Sequence, residues 1–364
     1  APGSIRPAMT LGRLDYRGVR NLENASLRDF VQTNIFHGEN GSGKTSLLEC
    51  IHLLGMARSF RTAHIKSVIS HGEEACTVYG ELAGETNARL GVTRSRDGVL
   101  EARVNGDPVG TRADLAEVLP LQLIDSESFG ILTDGPVERR QFMDWGVFHV
   151  EHGFFRHWQN FQRAIKQRNT LLRHGRLDAG ILHSRVQELS DWCSAIHSAR
   201  ERYIESLKPV FAALLEDLSP GLDAVELRYR RGWDSEVSLG EALKLSLPSD
   251  LQQGFTHAGP QRADIRIVTG GKPAAENLSR GQLKLVVCAL KLAQGSLAHQ
   301  QGRACTYLVD DLTAELDVTR CRQVAATLED MGAQVFVTCI ARQDAAAIWP
   351  GESDSRAMFH VEHG

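Results

Sequence analysis

The segment Gly38–Thr45, with the sequence GENGSGKT, constrains the fold of this chain more than any other feature. It follows a short apolar stretch, Ile35 and Phe36, and precedes SLLECIHLLG, whose composition favours a helix. A strand, a glycine-rich loop and a helix in this order are typical of a phosphate loop. The glycines let successive backbone N–H groups face phosphate oxygens, and the helix N-terminus adds the positive end of its dipole. The sequence therefore predicts an ATP site.

This loop and its first helical turn supply the predicted nucleotide contacts. Lys44 would neutralise the β and γ phosphates, and the hydroxyl of Thr45 would hold Mg²⁺. We predict that the full set of nucleotide-binding residues is Gly38, Glu39, Asn40, Gly41, Ser42, Gly43, Lys44, Thr45 and Ser46.

A second acidic motif follows far along the chain, at Tyr307–Asp311, YLVDD. An apolar strand that ends in a carboxylate can place it beside Mg²⁺, usually through a water. We therefore predict Asp310 as a metal-site residue, and Asp311 as the group that orients or deprotonates the attacking water. Strands also often end in Asp because it forms turns, so this motif gains its meaning from the phosphate loop.

A third motif, Asn277–Gln282 (NLSRGQ), precedes the helical stretch LKLVVCALKLAQ. Ser279, Arg280, Gly281 and Gln282 could form a second phosphate-binding device from a hydroxyl, flexible backbone N–H groups and a helix dipole. A plain helix N-cap is the simpler alternative. Two γ-phosphate cradles in one chain are explained by a dimer, in which the Ser279 segment of one copy closes over the ATP held by Lys44 of the other.

The motifs divide the chain into blocks. Short β-rich segments and one helix occupy residues 9–136, helical patterns without strand signals occupy 137–221, and strands and helices return over 222–364. Because the phosphate loop and the acidic strand end fall in different blocks, we predict an α/β ATPase lobe built from both and an inserted all-helical second lobe. The hexapeptide FHVEHG occurs at residues 148–153 and again at 359–364, and two copies do not make a repeat architecture.

The length of the chain and the distribution of its apolar residues indicate how many compact units it forms and where in the cell we expect it. Its 364 residues suffice for two or three compact units. We find no run of eighteen apolar residues and no secretory leader pattern, so we expect a cytoplasmic protein without a membrane segment. Residues 1–8 precede Met9, and we expect them to be a remnant outside the natural protein.

A local concentration of positive charge indicates where nucleic acid could bind, since the formal net charge is −4. Residues 152–177 contain no acidic residue and six cations. Apolar residues at helical spacing suggest that one face of this segment packs on a core. The cations would then either lie on a face that solvent surrounds or contact the phosphates of DNA. Nothing suggests base reading, so we predict contacts to the DNA backbone. The predicted contacts are Arg156, Arg163, Lys166 and Arg168, with Arg173 and Arg176 in the same segment.

Taken in order, the segments GENGSGKT, NLSRGQLK and YLVDDLTAELD resemble the ABC-type ATPases of the SMC and RecF kind, without arms long enough for an SMC coiled coil. Four further segments resemble the RecF family of bacterial recombination mediators: RLDYRGVRNL, GMARSFRT, GPVERRQFMDW and HAGPQRADI. The likeness covers nearly the whole chain from Met9.

The resemblance implies further roles. Asp317 would line the dimer seam, and Gln122 is a candidate for the Mg²⁺-sensing glutamine. Asp311 replaces the glutamate usual in transporters, which fits a slow, DNA-stimulated ATPase used as a switch. No histidine follows the strand at Val337, so Thr338 would stand in for the switch histidine. The transporters usually have glycine where this chain has Arg280.

The resemblance also implies a function in recombinational repair and replication. ATP would join two copies on duplex or gapped DNA, hydrolysis would release them, and the partners RecR and RecO would help to load RecA onto gaps covered by single-strand-binding protein. The alternative is a soluble ABC ATPase subunit coupled to a membrane transporter. The missing switch histidine and the RecF-like segments argue against that alternative.

Overall fold

The computed structural model describes residues 9–84, 87–174, 179–350 and 353–362, and for 179–188 only the backbone. The chain forms two compact units, one from residues 1–129 and 284–364 and one from residues 130–283. The strands, in chain order, are β1 (Thr10–Arg17), β2 (Ala25–Arg28), β3 (Thr33–His37), β4 (Ala75–Ala83), β5 (Ala88–Ser95), β6 (Leu100–Val104), β7 (Asp107–Pro108), β8 (Leu121–Ile124), β9 (Val225–Arg230), β10 (Asp264–Thr269), β11 (Lys272–Pro273), β12 (Thr306–Val309), β13 (Gln334–Cys339) and β14 (Arg356–His360).

The α-helices are, in chain order, α1 (Lys44–Met56), α2 (Arg112–Val118), α3 (Gly130–Thr133), α4 (Pro136–Val150), α5 (Phe154–His174), α6 (Ala179–Leu218), α7 (Leu239–Gln253), α8 (Ala274–Asn277), α9 (Arg280–Gln300), α10 (Leu312–Glu315), α11 (Val318–Asp330) and α12 (Arg342–Ile348). The predicted strands around the phosphate loop and the long helices that begin near Val137 are both present.

The first unit contains two sheets. Five parallel strands form one of them in the order β14-β3-β13-β12-β8. The other is antiparallel, in the order β2-β1-β4-β5-β6-β7. Helix α1 is apolar around most of its circumference and nearly all of it is buried, as expected of a helix enclosed by other elements. Its side chains share one core with residues of both sheets, among them Leu14, Val78, Phe36 and Phe336.

The second unit contains α3 to α8 and a three-stranded antiparallel sheet in the order β11-β10-β9. It extends beyond the segment 137–221 predicted for the helical lobe, because residues 222–283 join it. Strands β9 and β10 bury Leu227 and Ile265 on the face that packs within this unit. Partners in β9 and β10 are separated along the chain by α7, which is a tertiary relationship that local sequence patterns do not report.

The hexapeptide FHVEHG takes two different conformations. Residues 148–150 end α4, whereas residues 359–360 end the edge strand β14. In the second copy, the Val361 N–H donates a 2.8 Å hydrogen bond to the His37 carbonyl, next to the phosphate loop. The shared residues thus follow their tertiary surroundings. The last two positions of the second copy, 363 and 364, lie outside the described residues.

Among the helices that the structure describes, none combines the length and the apolar composition needed to cross a membrane.

Candidate nucleotide-binding site

The site lies where the parallel strands of the first unit end. Because β3, β13 and β12 are parallel neighbours, the loops that follow their carboxyl ends meet at one edge of the sheet. Crevices at this edge are the usual ligand sites of open α/β sheets. A cleft of about 420 Å³ opens here, a size typical of small-molecule sites. It is lined by Asn21, Asn40, Gly41, Gly43, Lys44, Thr45, Ser46, Arg61, Ser126, Asp310, Asp311, Ala314, Glu315, Thr338 and Ile340.

The phosphate loop forms one wall of the cleft. Gly43 precedes α1 with φ of 110°, a conformation that side chains disfavour, and a Cβ there would lie 2.6 Å from Leu22 Cδ2. The Lys44 ammonium donates hydrogen bonds of 2.6 and 2.7 Å to the carbonyls of Gly38 and Glu39, which holds the loop in a ring around the lysine. The Ser42 hydroxyl is buried and has no hydrogen-bond partner among the residues that the structure describes.

The acidic strand end faces this loop. Thr45 Oγ1 donates to Asp310 Oδ1 over 3.0 Å, and Thr338 Oγ1 donates to the same oxygen over 2.7 Å. Burial raises the pKa of Asp310, and the carboxylates of Asp125 and Asp311 act in the same direction, whereas the two hydroxyl donors oppose the rise. Carboxylates that lie close together in a buried site are stabilised by a bound cation. The structure thus brings Thr45 and Asp310 together as predicted from the motifs.

Asp311 has an unusual backbone conformation. Its φ is 51°, in the left-handed region that residues other than glycine seldom adopt. Two contacts fix it: its N–H donates to Thr338 Oγ1 over 2.9 Å, and its Oδ1 accepts from Thr313 Oγ1 over 3.1 Å. Backbone strain of this kind is concentrated at functional sites. In this conformation the chain does not continue β12, and Asp311 lines the cleft.

The signature segment lies in the second unit, at the start of α9. Ser279 Oγ accepts from the Gln282 N–H over 3.3 Å, and Gln282 Oε1 accepts from the Ser279 N–H over 2.9 Å, which is a reciprocal capping box. Ser279, Arg280 and Gly281 are not buried. A Cβ built on Gly281 would meet no atom of the described residues within 4 Å, so none of their contacts requires glycine there. Asp317, the predicted seam residue, is exposed and caps α11 by accepting from the Arg320 N–H over 3.0 Å.

Six residues of the cleft had no predicted role at the nucleotide: Asn21, Arg61, Ser126, Ala314, Glu315 and Ile340. Asn21 donates from Nδ2 to the Gly41 carbonyl over 3.4 Å, and Arg61 lies 3.8 Å from the buried carboxylate of Glu49. Ser126 follows β8. Asn21 and Arg61 both belong to segments that carry the family resemblance, and this resemblance is the sequence signal that could have identified them. Ser126 offers none.

The prediction for Gln122 is wrong. Its side chain is buried, and its Nε2 donates to Gln294 Oε1 over 3.0 Å. The alternation of side chains along β8 directs it into the packing against α9 and away from the cleft. Gln122 is therefore not a metal-sensing residue in this structure.

The basic helix α5 is present, with its apolar stripe buried, including Phe154, Phe161 and Ile165. Arg156, Arg163, Lys166 and Arg173 are exposed, as a DNA contact requires. Arg176 lies outside the described residues.

The prediction for Arg168 is wrong. Its side chain is buried, and Nη1 donates to Asp250 Oδ2 over 2.8 Å and to Thr256 Oγ1 over 2.5 Å. It lies three residues after Ile165 and seven after Phe161, so helical spacing already places it on the buried stripe. Its guanidinium is engaged within the second unit and does not face solvent.

The fold and the site together define an ABC-type ATPase head, and comparison with known proteins specifies which kind. A family model described as the RecF/RecN/SMC N-terminal domain matches residues 10–350. The DNA replication and repair protein RecF of Chromohalobacter salexigens is 49% identical over 358 residues, which is 98% of this chain and 99% of that protein. The RecF of Azotobacter vinelandii is also 49% identical, over 98% of each chain. This chain belongs to the RecF family.

Solved structures agree with this assignment. The recombination mediator protein RecF with ATP, described as part of the RecFOR pathway, superposes with a TM-score of 0.86 at 25% identity, over 98% of each chain. An Smc head domain from Pyrococcus furiosus shares the fold, with a TM-score of 0.58 at 17% identity. The alternative of a transporter-coupled ATPase is not supported, because the relatives at 49% identity are DNA replication and repair proteins.

Proposed function

We propose that the chain is an ATP-driven switch in recombinational repair and replication, which dimerises on DNA when ATP is bound and is released by slow, DNA-stimulated hydrolysis. The observation that carries the dimer is the accessible signature segment. Among the described residues, no atom lies within 4 Å of a Cβ built on Gly281, so the backbone there is open to close approach by a second copy. The γ-phosphate of an ATP held by a second copy has the required chemistry.

Mg²⁺ fits the residues that surround Asp310. A hydroxyl from Thr45 and a buried carboxylate are hard oxygen ligands, and Mg²⁺ is commonly held by one or two such groups together with phosphate oxygens. The ion would neutralise charge on the β and γ phosphates. Asp311 would orient and deprotonate the attacking water, with its backbone held in place by Thr338.

Sedimentation with and without ATP tests the dimer. The substitution Ser279→Arg places a bulky cation in the signature segment, which should obstruct closure over the γ-phosphate and abolish dimerisation while ATP still binds to the monomer. Ser194→Arg is the matched control, because Ser194 is exposed on α6 and lies outside the motifs. Full ATP-dependent dimerisation by the Ser279→Arg variant would exclude the composite site.

The exposed cations of α5 are proposed to contact DNA phosphates. Changing Arg156 and Arg163 to Ala should weaken binding similarly for all sequences and should flatten the salt dependence of log affinity by about two, because roughly one counterion is released per phosphate contact. Lys166 is exposed on the same helix. An unchanged slope and affinity would move the DNA path away from α5. Nucleotide binding, measured in parallel, should stay at the parental value.

RecR and RecO are the proposed protein partners, with RecA loading onto gapped DNA as the outcome, in the cytoplasm. The similarity to a RecF that is described as part of the RecFOR pathway supports them. Sedimentation of the chain with purified RecR, with ATP and gapped DNA present or omitted, would reveal the complex. Independent sedimentation of the two proteins under every condition would exclude direct binding to RecR.

A further inference from the structure

The outward face of the three-stranded sheet in the second unit carries a cluster of arginines. Side chains alternate along β9, so that Val225, Leu227 and Tyr229 face inward, whereas Arg228 and Arg230 are exposed. In β10, Arg266 is exposed on the same face. Arg139 of α4 borders this face, and the four arginines line one groove of about 500 Å³ together with Asp264.

The arrangement places like charges directly opposite each other. Arg266 and Arg228 are register partners in the antiparallel pair of β9 and β10. Directly opposed like charges destabilise a sheet, because their Cβ atoms lie only about 5 Å apart. Arg230 follows on the same strand, about 7 Å from Arg228. Three guanidinium groups are thus held close together on a rigid element.

The acidic groups nearby neutralise only part of this charge. Asp264 accepts from Arg139 through both oxygens, over 2.7 and 3.1 Å. Glu226 pairs with Arg228 at 2.7 Å. In the part of the chain that the structure describes, no ion pair engages Arg230 or Arg266. Arg230 lies across the strand pair from Asp264, whose carboxylate is already bound by Arg139. Arg230 and Arg266 are therefore exposed arginines without an ion pair of their own in the described part of the chain, beside a third arginine.

We infer that this face, which we call the β9–β10 arginine face (Arg228, Arg230 and Arg266), is a second contact surface for the phosphate backbone of duplex DNA. A polyanion relieves the repulsion between opposed arginines, and guanidinium groups bind phosphate oxygens with paired donors. The face offers backbone neutralisation and no base-reading element, so its contribution is independent of sequence. The inference rests on the proposed DNA binding and adds a surface to that of α5.

The test uses the full chain with ATP, Mg²⁺ and fluorescent duplexes of two unrelated sequences, and measures affinity over a salt series. The double variant Arg230→Gln with Arg266→Gln removes the two unpaired charges. The control, Arg202→Gln with Lys244→Gln, removes the same charge from exposed positions on α6 and α7. Circular dichroism and nucleotide affinity verify that each variant folds.

The face variant should lose about tenfold or more in affinity for both duplexes at low salt, and its salt slope should flatten by about two. The control should keep the parental slope. Parental affinity and slope in the face variant, while the parent binds DNA, would overturn the inference and leave the proposed function intact. Absence of DNA binding by the parent protein would instead overturn the proposed function. Arginine-dependent binding of an acidic peptide, with duplex affinity unchanged in the face variant, would also overturn the DNA assignment.

Discussion

Thr338 connects the Asp310 carboxylate to the backbone N–H of Asp311 through a single hydroxyl group. Its Oγ1 donates to Asp310 Oδ1 over 2.7 Å and accepts from the Asp311 N–H over 2.9 Å. The side chain is 2% exposed, so water cannot replace either bond. Thr338→Val keeps the shape of the side chain and removes both bonds. We expect this substitution to affect stability and hydrolysis together.

The magnitude follows from the two bonds. A hydrogen bond to a carboxylate contributes about 1.5 to 3 kcal/mol, and a buried N–H left without a partner costs about 1 to 3 kcal/mol. Because the remaining Thr45 bond still engages Asp310, we expect the free energy of unfolding to fall by about 2 to 4 kcal/mol. The left-handed backbone of Asp311 also loses its N–H anchor. Displacement of a catalytic group by 1 Å can cost about a hundredfold in rate.

Denaturant unfolding and steady-state phosphate release in the presence of Mg²⁺ and ATP measure the two effects. Thr338→Ser is the matched control, since it retains the hydroxyl and should keep most of the stability and the turnover. The reasoning would be refuted by a Thr338→Val protein that unfolds at the parental denaturant concentration and hydrolyses ATP at the parental rate.

Three other predictions concern residues whose environments the structure defines. Lys44→Ala should weaken equilibrium nucleotide binding itself, whereas Asp311→Asn should retain binding and stop phosphate release; hydrolysis by Asp311→Asn at the parental rate would assign the base elsewhere. Burial is the main cause that lowers the pKa of His52 from 6.5 to about 4. The neutral form therefore contributes about 3 kcal/mol to the free energy of unfolding above pH 6.5, and this contribution is lost as the pH falls from 6.5 through 4. His52→Asn should remove this part of the acid dependence of unfolding measured across pH, and an unchanged pH profile would contradict the prediction. Arg168→Ala should lower the free energy of unfolding by about 3 kcal/mol, because the buried Asp250 carboxylate loses its arginine partner and keeps only its contacts with His257 and Ser246. Denaturant unfolding and a DNA salt series check this prediction, and a stable variant with a flattened DNA salt slope would restore Arg168 to the DNA surface.

The motifs that could be predicted from the sequence are those whose geometry is local. The phosphate loop at Gly38–Thr45 needs only glycines and a following helix, and the reciprocal cap of Ser279 and Gln282 joins groups three residues apart. The buried stripe of α5 follows from the helical period in the same way. For these features, backbone preferences and spacing already determine which groups can meet.

Tertiary structure decided where distant residues meet. Asp310 reaches Thr45 and Thr338 because β12, β13 and β3 are parallel neighbours, an order that the chain sequence of these strands does not reveal. Arg168 is buried because Asp250, 82 residues away, neutralises it. Long-range pairing depends on the packing of whole elements, and the short-range preferences of the residues involved are compatible with several partners. The arginines of β9 and β10 lie opposite each other for the same reason: their register is set only when the two strands, which α7 separates along the chain, pair in the folded unit.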